Sequence, residues 1–170
     1  LQAAVDAVQG SGTIELTSSI ALSDQVTIDS GKTIILDMNG ETLSIGFSDS
    51  SKNLIVNNGT LTITGDGTFD ATEATSYKGF INNYGTLTVE NGTFQIADKA
   101  MTVHLRNQDG GKAVINGGTF SGGATIVRSF EGSNTTITGG SFTNSVYPAV
   151  DVNGETLITG GIFTNTSCSR

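Results

Sequence analysis

A motif that recurs five times limits the folds open to this chain. Its clearest copy is Gly85-Thr86-Leu87-Thr88-Val89-Glu90-Asn91-Gly92-Thr93-Phe94, and every copy ends in a phenylalanine. A repeat of about 20–50 residues is typical of solenoids, in which like residues of successive coils lie on one another. The motif therefore predicts a stack of coils. Its phenylalanines are 25, 26, 22 and 21 residues apart, at Phe69, Phe94, Phe120, Phe142 and Phe163.

Within one copy the residues alternate between polar and apolar. Leu87 and Val89 fall on one face of a strand, and their polar neighbours fall on the other. Asn91-Gly92 then predicts a corner, because both residues tolerate positive φ. A third strand is predicted between each phenylalanine and the next copy, so each coil has three sides. These third strands are Phe80–Asn82, Thr102–Leu105, Thr125–Val127 and Ala149–Val152.

The predicted fold is all-β: a right-handed, single-stranded parallel β-helix of about seven three-sided coils. A sandwich of antiparallel hairpins also suits short, evenly spaced strands. It gives no reason, however, for one motif to keep its phenylalanine in the same place. The pair Asn39-Gly40 suits either a hairpin or a corner between Thr33–Leu36 and Thr42–Ile45, and the later copies favour the corner.

The predicted organisation is a single β-helix domain spanning 1–170. Residues 1–9 form a short amphipathic helix that covers the first coil, 13–58 form the first coils, and 59–170 form the repeat coils. The extra length of some coils predicts a loop at Asp70–Lys78. The last coil has no visible cap, so we expect more chain beyond Arg170 or burial of that end in an oligomer.

Composition and charge exclude several function classes. The net charge of −8 would repel a phosphate backbone, so we expect no nucleic-acid partner. No apolar run is long enough to cross a bilayer, so we expect no membrane insertion. The single cysteine, Cys168, rules out an internal disulfide. We also predict no cofactor.

The opening of the chain resembles right-handed parallel β-helix proteins of the pectate-lyase-like superfamily. The resemblance lies in Leu1-Gln2-Ala3-Ala4-Val5-Asp6-Ala7, Gly12-Thr13-Ile14-Glu15-Leu16 and Val26-Thr27-Ile28. The Gly-Gly-Thr-Phe repeats are similar to those of gut-bacterial surface proteins and of phage fibres and decorations. Enzymes of the superfamily use a calcium-holding carboxylate cluster with a basic residue, or aspartates flanking the glycosidic bond. This chain has no Asp-Asp pair, Gly-His-Gly or Arg-x-Lys, so we predict no catalytic residue and no metal site.

One candidate polar site lies on the third strands. If Val103 and Leu105 point inward, the residues between and after them point outward, toward polar residues one and two coils on. Such a mixed-charge surface suits an acidic sugar or a neighbouring subunit, although solvated side chains on an exposed sheet would give the same pattern. The predicted ligand-binding residues are His104, Arg106, Arg128 and Asp151.

The sequence supports three functional hypotheses. The first is a non-catalytic structural or adhesive β-solenoid, extracellular, on a cell surface or a virion, acting as a spacer, decoration, fibre or adhesin. Its partners would be a surface glycan, another structural protein, or copies of itself in a homo-oligomer or larger assembly. The second is a carbohydrate-binding or polysaccharide-degrading β-helix. The third is ice binding, from the outward pairs Thr60/Thr62, Thr86/Thr88 and Thr136/Thr138.

Overall fold

The computed structural model describes residues 1–47, 49, 51–73, 79–97, 102–144 and 147–166. Part of the predicted loop Asp70–Lys78 and all of Cys168 therefore lie outside the described residues. One helix, α1 (Gln2–Ala7), precedes the strands. The strands are β1 (Ser11–Glu15), β2 (Ile20–Leu22), β3 (Val26–Ile28), β4 (Thr33–Asp37), β5 (Thr42–Ile45), β6 (Ile55–Asn57), β7 (Thr60–Thr64), β8 (Thr68–Ala71), β9 (Ile81–Asn83), β10 (Thr86–Val89), β11 (Thr93–Ile96), β12 (Val103–Asn107), β13 (Lys112–Ile115), β14 (Thr119–Ser121), β15 (Thr125–Ser129), β16 (Asn134–Ile137), β17 (Ser141–Asn144), β18 (Val150–Val152), β19 (Glu155–Ile158) and β20 (Ile162–Asn165).

Every third strand of the chain joins the same sheet. Sheet A has the order β1-β4-β7-β10-β13-β16-β19, sheet B the order β2-β5-β8-β11-β14-β17-β20, and sheet C the order β3-β6-β9-β12-β15-β18. Neighbouring strands are parallel, as in the pairing of Thr86 with Lys112 and of Thr88 with Val114. The predicted three-sided parallel solenoid is confirmed, with about six turns where about seven coils were predicted. Asn39-Gly40 is a corner, because it joins β4 of sheet A to β5 of sheet B.

The five repeated phenylalanines form one internal pile. Their registers pair each ring with the next along sheet B, from Phe69 to Phe163. Successive ring centroids are 4.6, 4.5, 5.0 and 4.7 Å apart, and the planes lie within 9° of parallel. Leu43 occupies the same column below Phe69. This pile gives the repeat its physical reason, since a ring buries its faces best against rings of the same shape.

Two residues before four of the five rings lies a glycine with positive φ, at Gly92, Gly118, Gly140 and Gly161. Gly140 has φ of 100°, a conformation that L side chains rarely adopt. A Cβ there would also lie 3.1 Å from the ring of Phe142 and 3.2 Å from the Gly118 carbonyl oxygen. The second glycine of the Gly-Gly pair therefore keeps the corner open for the next ring.

A ladder of buried asparagines runs beside the apolar core. The Asn57 side chain donates to Oδ1 of Asn83 at 2.7 Å, and Asn83 donates to Oδ1 of Asn107 at 2.8 Å. Asn107 in turn donates to Oγ1 of Thr135 at 2.9 Å. The amides also donate to nearby backbone carbonyls, as Asn83 does to Gly85. Each buried amide is therefore satisfied by the coil above it, which fixes the register between coils.

Helix α1 covers the first edge of sheet C, as predicted. The Gln2 side chain accepts a hydrogen bond from the Thr27 backbone N–H at 2.7 Å and donates to the Thr27 carbonyl at 3.1 Å. The Lys32 ammonium donates to the carbonyls of Val5, Asp6 and Val8 at 2.7, 3.1 and 2.9 Å. Gln2 thus takes the place of a neighbouring strand, and Lys32 caps the carboxyl end of the helix.

No described residue covers the opposite end of the stack. Ile162 is 68% exposed and Phe163 is 41% exposed, whereas Phe142, one coil earlier, is fully buried. Leu157 and Ile158 on β19 are exposed as well. Phe163 and Ile158 pair with the buried Phe142 and Ile137, so the last coil leaves open two positions that the coil before it buries. Ile162 and Leu157 instead pair with Ser141 and Thr136, which are only partly buried. Among the described residues, no helix has the length and apolar character needed to cross a bilayer.

Candidate functional site

The outer face of sheet C carries a column of polar side chains. Arg106 pairs in the parallel ladder with Asn82 on one side and with Arg128 on the other. Arg128 pairs in turn with Asp151. The four residues therefore lie on four successive rungs, about 4.8 Å apart. We call Asn82, Arg106, Arg128 and Asp151 the arginine ledge.

Arg128 and Asp151 form an ion pair on this ledge. Nε of Arg128 lies 2.8 Å from Oδ2 of Asp151, and both side chains are 36% exposed. An exposed pair of this kind contributes up to about 1 kcal/mol to stability. Its larger effect is to hold the Arg128 side chain in one orientation.

A depression of about 310 Å³ opens beside the ion pair. Arg128 and Asp151 form one side of it, and Thr125, Tyr147 and Pro148 form the rest. Thr125 is buried, but Tyr147 is 48% exposed. The depression thus combines an exposed aromatic ring with a charged pair.

Arg106 has a different environment from Arg128. Its guanidinium carbon lies 5.9 Å from the centre of the Phe130 ring, within range of a cation–π interaction. Its Nε is buried and has no hydrogen-bond partner. Burial lowers the pKa of Arg106, and the neighbouring charge of Arg128 lowers it further. Arg106 therefore remains a cation in a position that disfavours its charge.

Asn82 is fixed by its neighbours. Its Nδ2 donates to the Tyr84 hydroxyl at 3.2 Å, and its Oδ1 accepts from Nε2 of Gln108 at 2.5 Å. Tyr84 is 48% exposed. The ledge therefore has an exposed tyrosine near each end, Tyr84 near Arg106 and Tyr147 near Arg128.

His104 is not part of the ledge, and its predicted outward orientation is wrong. The residue is 1% exposed and packs against the rings of Phe80 and Phe120, with centroid distances of 5.4 and 5.9 Å. Its Nε2 lies 3.2 Å from the Gly122 carbonyl, while Nδ1 has no partner. Burial lowers the pKa of His104 to about 4. The imidazole is therefore a neutral core side chain at pH 7.

The cause of the misplacement is a pair of consecutive inward residues in the neighbouring coils of sheet C. Phe80 and Ile81 are both buried, as are Ile126 and Val127 at the corresponding positions. His104 and Leu105 are the same pair one coil away. Simple alternation along β12 does not allow for such a pair.

Acidic side chains at the corners are engaged in contacts between coils. Asn91 donates to Asp66 at 2.6 Å, and Asn116 donates to both carboxylate oxygens of Glu90 at 3.1 Å. Asn39 likewise donates to a carboxylate one coil earlier. In the part of the chain that the structure describes, no group of three His, Cys, Asp or Glu residues is arranged to hold a metal ion.

The threonine pairs of sheet A are in register only in part. Thr60 pairs with Thr86 and Thr62 with Thr88, which gives two regular rungs. The next rung places Lys112 and Val114 beside them, as the sequence indicates. The threonine surface is therefore interrupted after two coils.

Comparison with known proteins gives no match at the level of family, sequence or structure. No protein-family model matches the chain, no curated protein matches its sequence, and no solved structure matches its coordinates. The resemblance to the pectate-lyase-like superfamily therefore stays a prediction, while the parallel solenoid is given by the structure itself.

Proposed function

We propose that the chain is a non-catalytic β-solenoid module that acts as a rigid spacer, decoration or adhesin on the surface of a cell or a virion. The observation that carries the proposal is the unbroken register of three parallel sheets around one pile of phenylalanines. Because each coil is bonded along three sides to the next, bending the stack requires many backbone hydrogen bonds to break together. The seven strands of sheets A and B, spaced about 4.8 Å apart, give a stiff body roughly 30 Å long.

The corner carboxylates support the same proposal. Asp66 and Glu90 each accept hydrogen bonds from an asparagine of the next coil, at Asn91 and Asn116. Their positions are accounted for by the contacts that hold the coils together. The Gly-Gly-Thr-Phe repeats resemble those of gut-bacterial surface proteins and phage fibres, and we propose the extracellular location on that basis.

The test combines a turnover assay with an attachment assay. The purified chain is incubated with neutral and acidic polysaccharides, and the release of new reducing ends or unsaturated products is measured. Fluorescently labelled chain is then added to intact cells and particles, and its retention after washing is measured. We expect retention without product release. Release of product, or the absence of retention on every surface, would contradict the proposal.

A second candidate function is a carbohydrate-binding or polysaccharide-degrading β-helix. The depression beside Arg128 and Asp151 favours it, because a carboxylate and a cation there border an exposed tyrosine. If the chain cleaves a glycan, Asp151→Asn and Arg128→Ala should each abolish turnover while the fold persists. His104→Ala does not discriminate between the two functions, because removing a buried side chain destabilises the core.

A further inference from the structure

Two arginines occupy neighbouring rungs of a strongly acidic protein. The chain has 8 lysines and arginines against 16 aspartates and glutamates, yet Arg106 and Arg128 are paired directly in the ladder of sheet C. Like charges opposite one another in a sheet are destabilising. The charge of Arg128 also lowers the pKa of Arg106. The arrangement therefore costs free energy, and an acid group bound between the two arginines would offset that cost.

Two lysines in the described part of the chain have structural roles. Lys52 pairs with Asp24 at 2.6 Å, and Lys32 caps α1. Arg106 forms neither an ion pair nor a side-chain hydrogen bond with any described residue, and it rests against the Phe130 ring. The outer nitrogens of its planar fork are therefore available to a carboxylate or sulfate group.

The charges of the ledge suit one acid group. Arg106 and Arg128 contribute two positive charges and Asp151 contributes one negative charge, which leaves one net positive charge. Asp151 accepts a hydrogen bond from Nε of Arg128, so the end-on edge of the guanidinium, formed by its two Nη nitrogens, remains for a second acceptor. A single anionic group placed between the arginines would neutralise the site.

Exposed tyrosines flank the two arginines. Tyr84 and Tyr147 are each 48% exposed, and Tyr84 is held by a hydrogen bond from Asn82. An exposed ring whose hydroxyl is tied down is a flat, preorganised surface with little rotamer freedom to lose on binding. Such surfaces favour a ligand made of rings over an extended acidic peptide.

We propose that the arginine ledge binds an anionic glycan. Arg106 and Arg128 hold the acid group of one sugar, a carboxylate or a sulfate ester, and the sugar rings lie against Tyr84 and Tyr147. The glycan would be the ligand of the proposed adhesive module. This inference rests on the proposed function, because the glycan is bound and not cleaved.

The test is isothermal titration calorimetry with three oligosaccharides of equal length: a uronate oligosaccharide, a sulfated one and an uncharged one. We expect the wild-type chain to bind an anionic oligosaccharide and not the uncharged one, and to bind more weakly as salt is added. Whichever of the two anionic compounds binds identifies the acid group. Arg106→Gln and Arg128→Gln should each weaken binding at least tenfold, and Arg106→Lys should weaken it less than Arg106→Gln.

Lys112→Gln is the matched control, because it removes the same charge from the exposed face of sheet A. It should change affinity less than twofold, and circular dichroism should give all variants the melting profile of a folded chain. Binding of neither anionic oligosaccharide, an equal loss in Lys112→Gln, or equally tight binding of polyglutamate would overturn the site. Product release in the same samples would instead contradict the non-catalytic function and leave the binding result intact.

Discussion

His104 packs against Phe80 inside the solenoid, with ring centroids 5.4 Å apart and the imidazole Nδ1 without a hydrogen-bond partner. The contact places a titratable group among aromatic rings, where its charged form is disfavoured. Burial is the main cause of the pKa of about 4, and the hydrogen bond to Gly122 opposes it only in part.

Stability should therefore depend on pH through His104. The folded pKa is about 4 and the ordinary value is 6.5, so between these values the unfolded chain binds a proton that the folded chain does not. The free energy of unfolding should be independent of this group above pH 7, and should fall by about 3 kcal/mol between pH 6.5 and 4. His104→Leu should lose this component. Urea unfolding at a series of pH values measures it, and parallel profiles for the two proteins would contradict the assignment.

Truncating a ring in the pile should cost far more in the middle than at the open end. Phe94 lies between two rings and is buried, so Phe94→Ala should lower the free energy of unfolding by about 3–5 kcal/mol. Phe163 touches one ring and is 41% exposed, so Phe163→Ala should cost about 1–2 kcal/mol. Chemical denaturation of both variants tests the difference. Equal losses would mean that the last coil is as well covered as the fourth.

Removing one asparagine from the internal ladder should leave its neighbours unsatisfied. Asn83→Ala deprives Asn57 of an acceptor and Asn107 of a donor, inside the core. We expect a loss of about 2–4 kcal/mol, since each unpaired buried polar group costs about 1–3 kcal/mol. Asn153→Ala, at an exposed position, serves as the control and should change stability by less than about 0.5 kcal/mol. A near-neutral Asn83→Ala would show that the ladder does not hold the coils in register.

Helix α1 should stabilise the fold through the side chain of Gln2. Gln2→Ala removes both hydrogen bonds to the Thr27 backbone and opens the edge of sheet C to solvent. The expected loss is about 1–2 kcal/mol, because water replaces part of what is lost. Hydrogen exchange should show faster exchange at Thr27 in this variant, whereas the exposed Gln9→Ala should leave that amide unchanged. If the Thr27 amide exchanges as slowly in Gln2→Ala as in the wild type, Gln2 does not protect the edge of sheet C.

The fold could be predicted from the sequence because its strongest signal is periodic. A ring that stacks on the next ring must recur at the same place in each coil. The spacing of Phe94 and Phe120 therefore predicts the register of sheet B. The corner at Asn39-Gly40 followed from the same comparison between copies. Both φ values there are positive, at 47° and 80°.

The candidate site was predicted less completely, since it depends on residues that do not repeat. Counting along the third strands predicts that Arg106, Arg128 and Asp151 lie together, and the registers of sheet C agree. His104 was misplaced because Phe80, which aligns with it, lies in the bend just before β9 and points inward beside Ile81. An alignment of the third strands shows an apolar pair at these positions in every other coil except the first, which has Gln25-Val26.

The exposed tyrosines gave no periodic signal at all. Tyr84 and Tyr147 each occur once, at corners that carry other residues in the remaining coils. Only the folded chain shows that both lie beside the arginine ledge.

Disulfide cross-linking in sheet A measures the parallel register directly. With Cys168→Ser as background, cysteines replace Thr86 or Thr88 on β10 together with Lys112 or Val114 on β13, all of which face outward. Parallel strands bring 86 next to 112 and 88 next to 114, while the crossed pairs lie about 8 Å apart, too far for a disulfide. We expect rapid oxidation of the pairs 86/112 and 88/114 and slow oxidation of 86/114 and 88/112. The reverse result is what antiparallel strands would give, and it would contradict the solenoid.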